Sequence, residues 1–221
     1  MQALVDQFFN LTIMAKTMPL MLAGLWMTAK LCAAVIVPGL VGGLLLALGN
    51  LSPRRWLRIP CIVFTDIFRA LPPLVLLIFI YSGLPFAGVA MSPFAAVALA
   101  FLLNNSSYYA EVYRSGILSV AKGQWEAARS TGLNRTQTLT HVVLPQAVRN
   151  VLPDLLSNTI EVVKLTSLAS VVSLSELLYS ADMARSITYN ASPLVLAALI
   201  YLALLWPVVR LVSRFQRRLA A

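Results

Sequence analysis

Long apolar runs alternate with short polar and basic segments along the chain, and this alternation predicts membrane-spanning helices. The hydrocarbon core of a bilayer is about 30 Å thick, so a helix needs roughly 20 apolar residues to cross it. Runs of that length occur at about 20–48, 60–83, 93–113, 151–175 and 193–213. We therefore expect an all-α integral membrane protein with about five transmembrane helices.

The second run departs from this pattern because polar residues and two adjacent prolines interrupt it. Asp66 and Arg69 precede Pro72 and Pro73. The apolar stretch at 72–81 is too short to span a bilayer alone, so Asp66 and Arg69 are expected at membrane depth. Proline removes a backbone donor and clashes with the preceding turn, so the proline pair should break or kink this helix.

Composition excludes an ordinary soluble domain. Of the 221 residues, 59% are hydrophobic and 11% are charged, whereas soluble domains carry roughly 25% charged residues. A net charge of +9 would indicate nucleic-acid binding in a soluble protein. Here the basic residues cluster at the ends of the apolar runs, so we expect no nucleic-acid partner. Cys32 and Cys61 both lie in apolar runs and are interpreted as small core residues.

The distribution of lysine and arginine predicts the orientation in the membrane. Twelve basic residues, Arg217 and Arg218 among them, fall on one predicted side, against Lys16 and Arg185 on the other. Loops rich in Lys and Arg stay in the cytoplasm, so the N-terminus should face outward and the C-terminus the cytoplasm. The predicted parts are a periplasmic or interfacial segment at 1–19, a membrane domain at 20–215 with a cytoplasmic loop at 114–150, and a cytoplasmic tail at 216–221.

The cytoplasmic loop is predicted to form two short helices joined by a break. Gly123 and Gly132 bracket the first helix, which carries Trp125 and Ala128 on one face. Gly132 fits the position after a helix, where the backbone adopts a positive φ.

The second helix of the loop has its own start signal. Asn134 fits an N-cap, and Gln137, three residues later, completes the pattern of a capping box. We expect this helix to end near Leu144 and Pro145. The two helices should then project from the membrane.

The residues of the first loop helix leave two interpretations open. Ala127 and Ala128 allow another surface to approach closely, Glu126 can meet a basic partner, and Trp125 offers a large anchor. The alternative is an amphipathic segment whose basic residues lie on lipid headgroups.

Longer motifs add a resemblance to a known family. The segments are Phe68–Pro72 (FRALP), Tyr109–Ala128 (YAEVYRSGILSVAKGQWEAA), Val143–Arg149 (VLPQAVR) and Lys164–Leu168 (KLTSL). Together they resemble the polar-amino-acid uptake family of ATP-binding-cassette (ABC) permeases, from about residue 20 to the C-terminus. One position departs from that family, because Leu165 stands where an acidic residue is usual; Glu161 could instead pair with Lys164.

The resemblance implies an ABC type I importer permease fold in the bacterial inner membrane, forming the translocation pathway as a dimer with a second copy or a paralogue. It also implies two ABC ATPase subunits and an external amino-acid-binding protein as partners. The chain has no phosphate-binding loop, so it is expected to carry no cofactor and no catalytic site, with ATP and Mg²⁺ held by the ATPase. The residues that the resemblance assigns to ATPase coupling are Gly123, Gln124, Trp125, Glu126, Ala127, Ala128 and Gly132.

Polar residues at membrane depth are candidates for the translocation path, because facing lipid is costly for them. These candidates are Asp66, Arg69, Asn104, Ser107, Tyr108, Glu111, Glu161, Lys164, Thr166 and Ser167. The alternative for each is structural, since such residues also bond helices together or extend to the membrane interface.

Two other function classes remain open at this point. In the first, Glu111, Glu161 and Lys164 form the proton or ion relay of a secondary transporter or channel, which would leave the loop motif unexplained. The second is a small membrane enzyme, which requires a dense acidic, metal-binding or nucleophilic cluster that the sequence does not show. His141 is the only histidine and is predicted to be a surface residue, so we expect no metal site.

Overall fold

The computed structural model describes residues 2–220, and the regular secondary structure in that range is helical. The side chains of Phe215 and of residues 217–220 are outside the described set, so the predicted positions of Arg217 and Arg218 lie outside it too. The α-helices are α1 (Gln2–Phe8), α2 (Leu11–Asn50), α3 (Arg55–Ala70), α4 (Pro73–Ile78), α5 (Pro93–Ser119), α6 (Lys122–Ser130), α7 (Arg135–Gln137), α8 (Leu144–Leu165), α9 (Leu177–Thr188) and α10 (Ser192–Ala220). Short π-helical or 3₁₀ segments join some of them, at Phe79–Gly83, Leu84–Ala87, Thr138–Val143 and Thr166–Val172.

Three helical stretches of the described chain are long and apolar enough to cross a membrane. They are Gln2–Asn50, Arg135–Val172 and Ser192–Arg214. The sharply bent pair Arg55–Ala70 and Pro73–Ala87 makes a fourth if it is counted as one span. By this criterion three or four of the five predicted spans are supported, and α5 is left out because its second half is polar.

The break in the second predicted span occurs where the prolines stand, as predicted. α3 ends at Ala70, Leu71 is extended with φ −79° and ψ 128°, and α4 begins at Pro73. A residue before proline is pushed toward extended backbone because the proline ring clashes with the helical conformation. The first proline of the pair thus ends one helix and the second begins another.

The chain divides into two compact units that each draw on separate parts of the sequence. The first consists of Met1–Ile36, Pro73–Phe101 and Ile160–Leu211, and the second of Val37–Pro72, Leu102–Thr159 and Val212–Ala221. In the first unit, a core of buried residues joins α2, α9 and α10. Its members are Met14, Met21, Leu177, Ala181, Ala184, Leu196 and Ala197.

The core of the second unit lies under the loop helices. Its buried residues are Ile117, Val120, Val143 and Ala147, with Trp125 and Leu48 packed against them.

Glycines permit close helix packing in the second unit. A Cβ added to Gly43 of α2 would stand 2.4 Å from the Cβ of Tyr109 in α5. One added to Gly116 of α5 would stand 2.8 Å from Val151 Cγ1 in α8. Small residues at such crossings let helix backbones approach closely in membrane proteins. These two positions hold α5 against both α2 and α8.

The prediction that the second loop helix ends near Leu144 and Pro145 is wrong. α7 continues through the π-helical segment Thr138–Val143 into α8, so helix runs without a break from Arg135 to Leu165. The N–H of Leu144 donates to Leu139 O, which is π-type bonding. Proline lacks an N–H, and Pro145 follows directly on this wider turn, where the bonding pattern changes and the missing donor is accommodated.

Candidate functional sites

α6 is a short, mostly exposed helix whose C-terminal end is set by a glycine. It begins at Lys122, one residue before Gly123, and ends at Ser130. Gly132 then has φ +90°, which confirms its predicted positive φ, and its N–H donates to Arg129 O at 3.1 Å. A Cβ at Gly132 would meet nothing within 4 Å, so glycine is required there by backbone conformation and not by space.

The turn after α6 is closed by the predicted capping box. The N–H of Gln137 donates to Asn134 Oδ1 at 2.9 Å, and the N–H of Asn134 donates to Gln137 Oε1 at 2.9 Å. Two backbone donors at the start of α7 are thus satisfied by side chains. The prediction is confirmed, and the exit of the chain from α6 is held in one conformation.

One face of α6 is turned toward the core of the second unit. Ala128 is buried, and Trp125 is half-buried and packs against the cluster of Ile117, Val120, Val143 and Ala147. These two residues share a face, as predicted. The structure places that face against the chain's own helices, so Trp125 and Ala128 hold α6 in place.

The opposite face of α6 is exposed and consists of small or polar residues. Four exposed residues lie along this face, each three or four positions from two of the others: Gly123, Glu126, Ala127 and Ser130. Their spacing places them on one side of the helix. Within the described residues, Glu126 forms no ion pair.

A polar cavity of about 330 Å³ lies in the second unit. Glu111 of α5 is one of its lining residues. The Nε of Arg114 donates to Glu111 Oε2 at 3.1 Å, and Arg114 Nη2 also contacts Oε1. The Nη1 of Arg69, from α3, lies 3.5 Å from Glu111 Oε2. The predicted groups around Asp66 and around Glu111 are therefore one site. The polar lining residues are Asn50, Thr65, Asp66, Arg69, Glu111 and Arg114.

Tyr108 holds Arg69 from a second direction. The guanidinium carbon of Arg69 lies 5.7 Å from the centroid of the Tyr108 ring, within the range of cation–π attraction. The hydroxyl of Tyr108 also donates to the backbone oxygen of Arg69 at 3.4 Å. Asp66, which is exposed, forms no ion pair in the described part of the chain.

A separate charged pair lies in the first unit, near the end of α8. Lys164 Nζ donates to Glu161 Oε1, which confirms the predicted pairing of these two residues. Both side chains are more than half exposed, at 59% for Glu161 and 52% for Lys164. The hydroxyl of Ser167 donates to Lys164 O at 2.8 Å. The Glu161–Lys164 pair is therefore accessible from outside the chain, and the Ser167 hydrogen bond holds the main chain beside it.

Comparison with known proteins decides the family. A family model described as the inner membrane component of binding-protein-dependent transport systems matches residues 39–221. The chain belongs to this family. It is thus a permease subunit, and the four motifs that carried the resemblance all lie within the matched region.

Two relatives of this permease align with nearly its whole length. It is 34% identical over 212 residues to YckA of Bacillus subtilis, a probable amino-acid ABC transporter permease protein, covering 96% of this chain and 92% of that one. It is 37% identical over 204 residues to the glutamate transport system permease protein GluD of Corynebacterium glutamicum, covering 90% and 75%. A crystal structure of an amino acid ABC transporter with histidines superposes with TM-score 0.85 and 35% identity, covering 93% and 96%.

Three predicted path residues of the permease are buried and bonded to backbone. Asn104 is 1% exposed, and its Nδ2 donates to Phe68 O at 2.7 Å and to Leu71 O at 3.4 Å, the carbonyls left open where α3 ends. Ser107 donates to Leu103 O at 3.1 Å, and Thr166 to Val163 O at 2.7 Å. These contacts favour structural roles.

Glu176 is not among the residues predicted from the sequence, and it is fully buried in the permease. Its carboxylate accepts the N–H groups of Leu178 at 2.9 Å and Tyr179 at 2.7 Å, and the hydroxyl of Tyr201 at 3.3 Å. Burial raises the pKa of Glu176. Glu176 is the N-cap of α9, but Ser, Thr, Asp and Asn are the usual N-cap residues, so the sequence carries only a weak signal for this role.

Among the described residues, no group of three or more His, Cys, Asp or Glu side chains could hold a metal ion. His141 is exposed, and its Nδ1 lies 3.1 Å from Gln137 O and 2.9 Å from Thr140 Oγ1.

Proposed function

We propose that this permease is the membrane-spanning subunit of an ATP-driven amino-acid importer and that α6 is its contact with the ATPase. Relatives that align over most of the chain are named as amino-acid transport permeases, which supports amino acids as the cargo class. One of them is named for amino acids in general and the other for glutamate, so the proposal stops at the class.

Partners and membrane topology follow from the same proposal. The permease pairs with a second copy or a paralogue, binds two ABC ATPase subunits that carry ATP and Mg²⁺, and receives substrate from an external binding protein. It lies in the bacterial inner membrane with α5 as a further span, the N-terminus outside and the C-terminus in the cytoplasm. The twelve-to-two distribution of basic residues supports this orientation.

The observation that carries the coupling proposal is the two-sided character of α6. Its inner face is fixed by Trp125 and Ala128, while Gly123, Glu126 and Ala127 leave a flat outer face with one unpaired carboxylate within the described chain. Small side chains permit a groove of another protein to close around the helix. Glu126 supplies a charge for a basic group there.

Motion of the ATPase can pass from α6 into the membrane helices because the contact is rigid. Trp125 packs on residues of α5, through Ile117 and Val120, and on residues that lead into α8, through Val143 and Ala147. Packed helices transmit displacement as rigid bodies. ATP-driven closure of the ATPase would then move these helices with α6 and alternate access to the pathway.

The accessible charged and polar side chains are proposed to line the pathway. They are Asp66, Arg69, Tyr108 and Glu111 in the second unit, and Glu161, Lys164 and Ser167 in the first. Zwitterionic amino acids carry both charges, and both sites offer anionic and cationic groups. Asn104, Ser107 and Thr166 are proposed to hold the helices around them.

Photo-crosslinking tests the coupling proposal. A photoreactive amino acid replaces Ala127 on the outer face of α6, and the matched control replaces Ser186, an exposed residue of α9 on the predicted outer side of the membrane. In native membranes, position 127 should crosslink to a protein that contains a phosphate-binding loop, and position 186 should not. A permease that crosslinks to no ATPase from position 127, yet still transports in an ion-gradient-dependent manner, would support the secondary-transporter alternative.

A further inference from the structure

A second, larger cavity of about 610 Å³ lies in the second unit, and its lining is mostly apolar. It is bounded by the end of α2, the start of α3, the end of α5 and the loop helices. Leu45, Leu48, Leu57 and Ile117 contribute to its wall. The volume falls within the roughly 300–1,000 Å³ of pockets that hold small ligands.

Two apolar residues that line the cavity, one on α2 and one on α5, are exposed at the surface of the chain. Leu45 lies within the candidate span Gln2–Asn50 and is 63% exposed, and Leu118 of α5 is 60% exposed. Large exposed apolar side chains on a membrane helix face lipid. An acyl chain from the bilayer can therefore enter between these two residues.

The rim of the cavity is basic. Lys122, at the start of α6, and Arg135, at the start of α7, are both lining residues, and no Asp or Glu lines the cavity. Neither cation forms an ion pair in the part of the chain that the structure describes. The exposed Arg54 and Arg55 directly follow Pro53, a lining residue. A cluster of basic side chains without acidic partners can bind the negative charge of a phosphate group.

We propose that this cavity binds one anionic phospholipid of the cytoplasmic leaflet. Its acyl chain would lie against Leu45, Leu48 and Leu118, and its phosphate would contact Lys122 and Arg135. Basic pockets between membrane helices on the cytoplasmic side bind anionic headgroups in this manner. The lipid would then occupy the space between the membrane helices and the loop helices α6 and α7, and it would contact both. This inference goes beyond the transport function proposed above.

The number and type of lipids that stay bound to the purified transporter test the proposal directly. The assembled transporter is placed in nanodiscs of phosphatidylcholine mixed with phosphatidylglycerol, extracted gently, and its bound lipids are counted by native mass spectrometry. We expect a preference of about 10- to 30-fold for phosphatidylglycerol, because two basic side chains contact its headgroup. K122Q/R135Q removes both contacts and should bring the preference close to none. The control R149Q/R214Q removes two exposed cytoplasmic-side arginines outside the cavity and should keep the preference.

Two further measurements do not depend on the charge variants. L118W fills the opening and should lower retention of both lipids. Cys61 also lines the cavity, so phosphatidylglycerol should slow its reaction with a maleimide more than phosphatidylcholine does, in wild-type transporter. Equal retention of the two lipids by wild type would overturn the proposal. So would Cys61 protection that depends on the ATPase alone, because an ATPase side chain would then be the occupant.

Discussion

Arg69 Nη1 and Glu111 Oε2 lie 3.5 Å apart and join the end of α3 to α5. Asn104, two turns earlier on α5, donates to the carbonyls of Phe68 and Leu71 at the same end of α3. α5 therefore holds the proline break at two levels. One contact is buried and satisfies backbone, and the other is an accessible ion pair that lines the polar cavity.

We predict that E111Q lowers uptake about tenfold because it leaves Arg69 and Arg114 without their shared counter-charge. The double variant E111Q/R69Q should be more stable than the sum of the two single variants predicts. Pairs this exposed typically contribute about 1 kcal/mol or less, so the coupling energy should be about 0.5–1 kcal/mol. Thermal melting of all four proteins measures it, and strict additivity would show that the pair does not interact.

Gly43→Leu should prevent stable folding. Even a Cβ at this position would lie 2.4 Å from Tyr109 Cβ, and overpacking costs about 1–3 kcal/mol or more. Folded protein recovered from membranes and its melting temperature are the readouts. The control is Gly83→Ala, whose Cβ would meet its nearest neighbour at 3.5 Å. If Gly43→Leu accumulates and melts like wild type, α2 and α5 are not packed as described.

Glu161→Gln should change uptake or substrate preference without changing stability. The Glu161–Lys164 pair is more than half exposed, so its loss should alter the free energy of unfolding by less than about 1 kcal/mol. Asp182→Asn breaks an exposed pair of the same spacing, Asp182 with Arg185, and should leave substrate preference intact. Unchanged uptake and preference in Glu161→Gln would exclude Glu161 from the translocation path.

Glu176 should make stability depend on pH. Burial raises its pKa in the folded chain above the unfolded value of about 4.3, so the folded state holds this proton more tightly. The contribution of Glu176 to the free energy of unfolding is therefore greatest below its pKa in the unfolded chain. That contribution is lost as the pH rises through its pKa in the folded chain.

Relative to Glu176→Gln, the wild type should therefore lose stability as the pH rises above about 4.3 and through the raised pKa of the folded state. Glu176→Ala should cost about 1–2 kcal/mol because the N-cap of α9 is removed. Melting temperatures across the pH range measure both effects. Parallel curves for wild type and Glu176→Gln would contradict the assignment.

Features with local causes were predictable from the sequence. The capping box of Asn134 and Gln137, the positive φ of Gly132 and the break at Pro72 and Pro73 each depend on residues within one turn. The same holds for Glu161 and Lys164, which are neighbours on one helix face. The structure confirms all of these.

Features that depend on which helices pack together were not predictable. Nothing in the sequence pairs Arg69 with Glu111, and Asp66 was the nearer acid along the chain. The inward orientation of Trp125 depends on Val143 and Ala147, which are distant in sequence. The helix through Pro145 was missed because a π-helical segment leaves no clear sequence signal.

The most direct test of the central claim is the ATPase activity of the purified transporter. In wild type, loaded binding protein should stimulate ATP hydrolysis. Glu126→Lys on the outer face of α6, and Gly132→Pro at its end, should abolish this stimulation while the permease still inserts into the membrane. Thr140→Lys, which places a lysine at another exposed position of the loop, should retain it. Full stimulation in the Glu126 and Gly132 variants would contradict the assignment of α6 as the link between permease and ATPase.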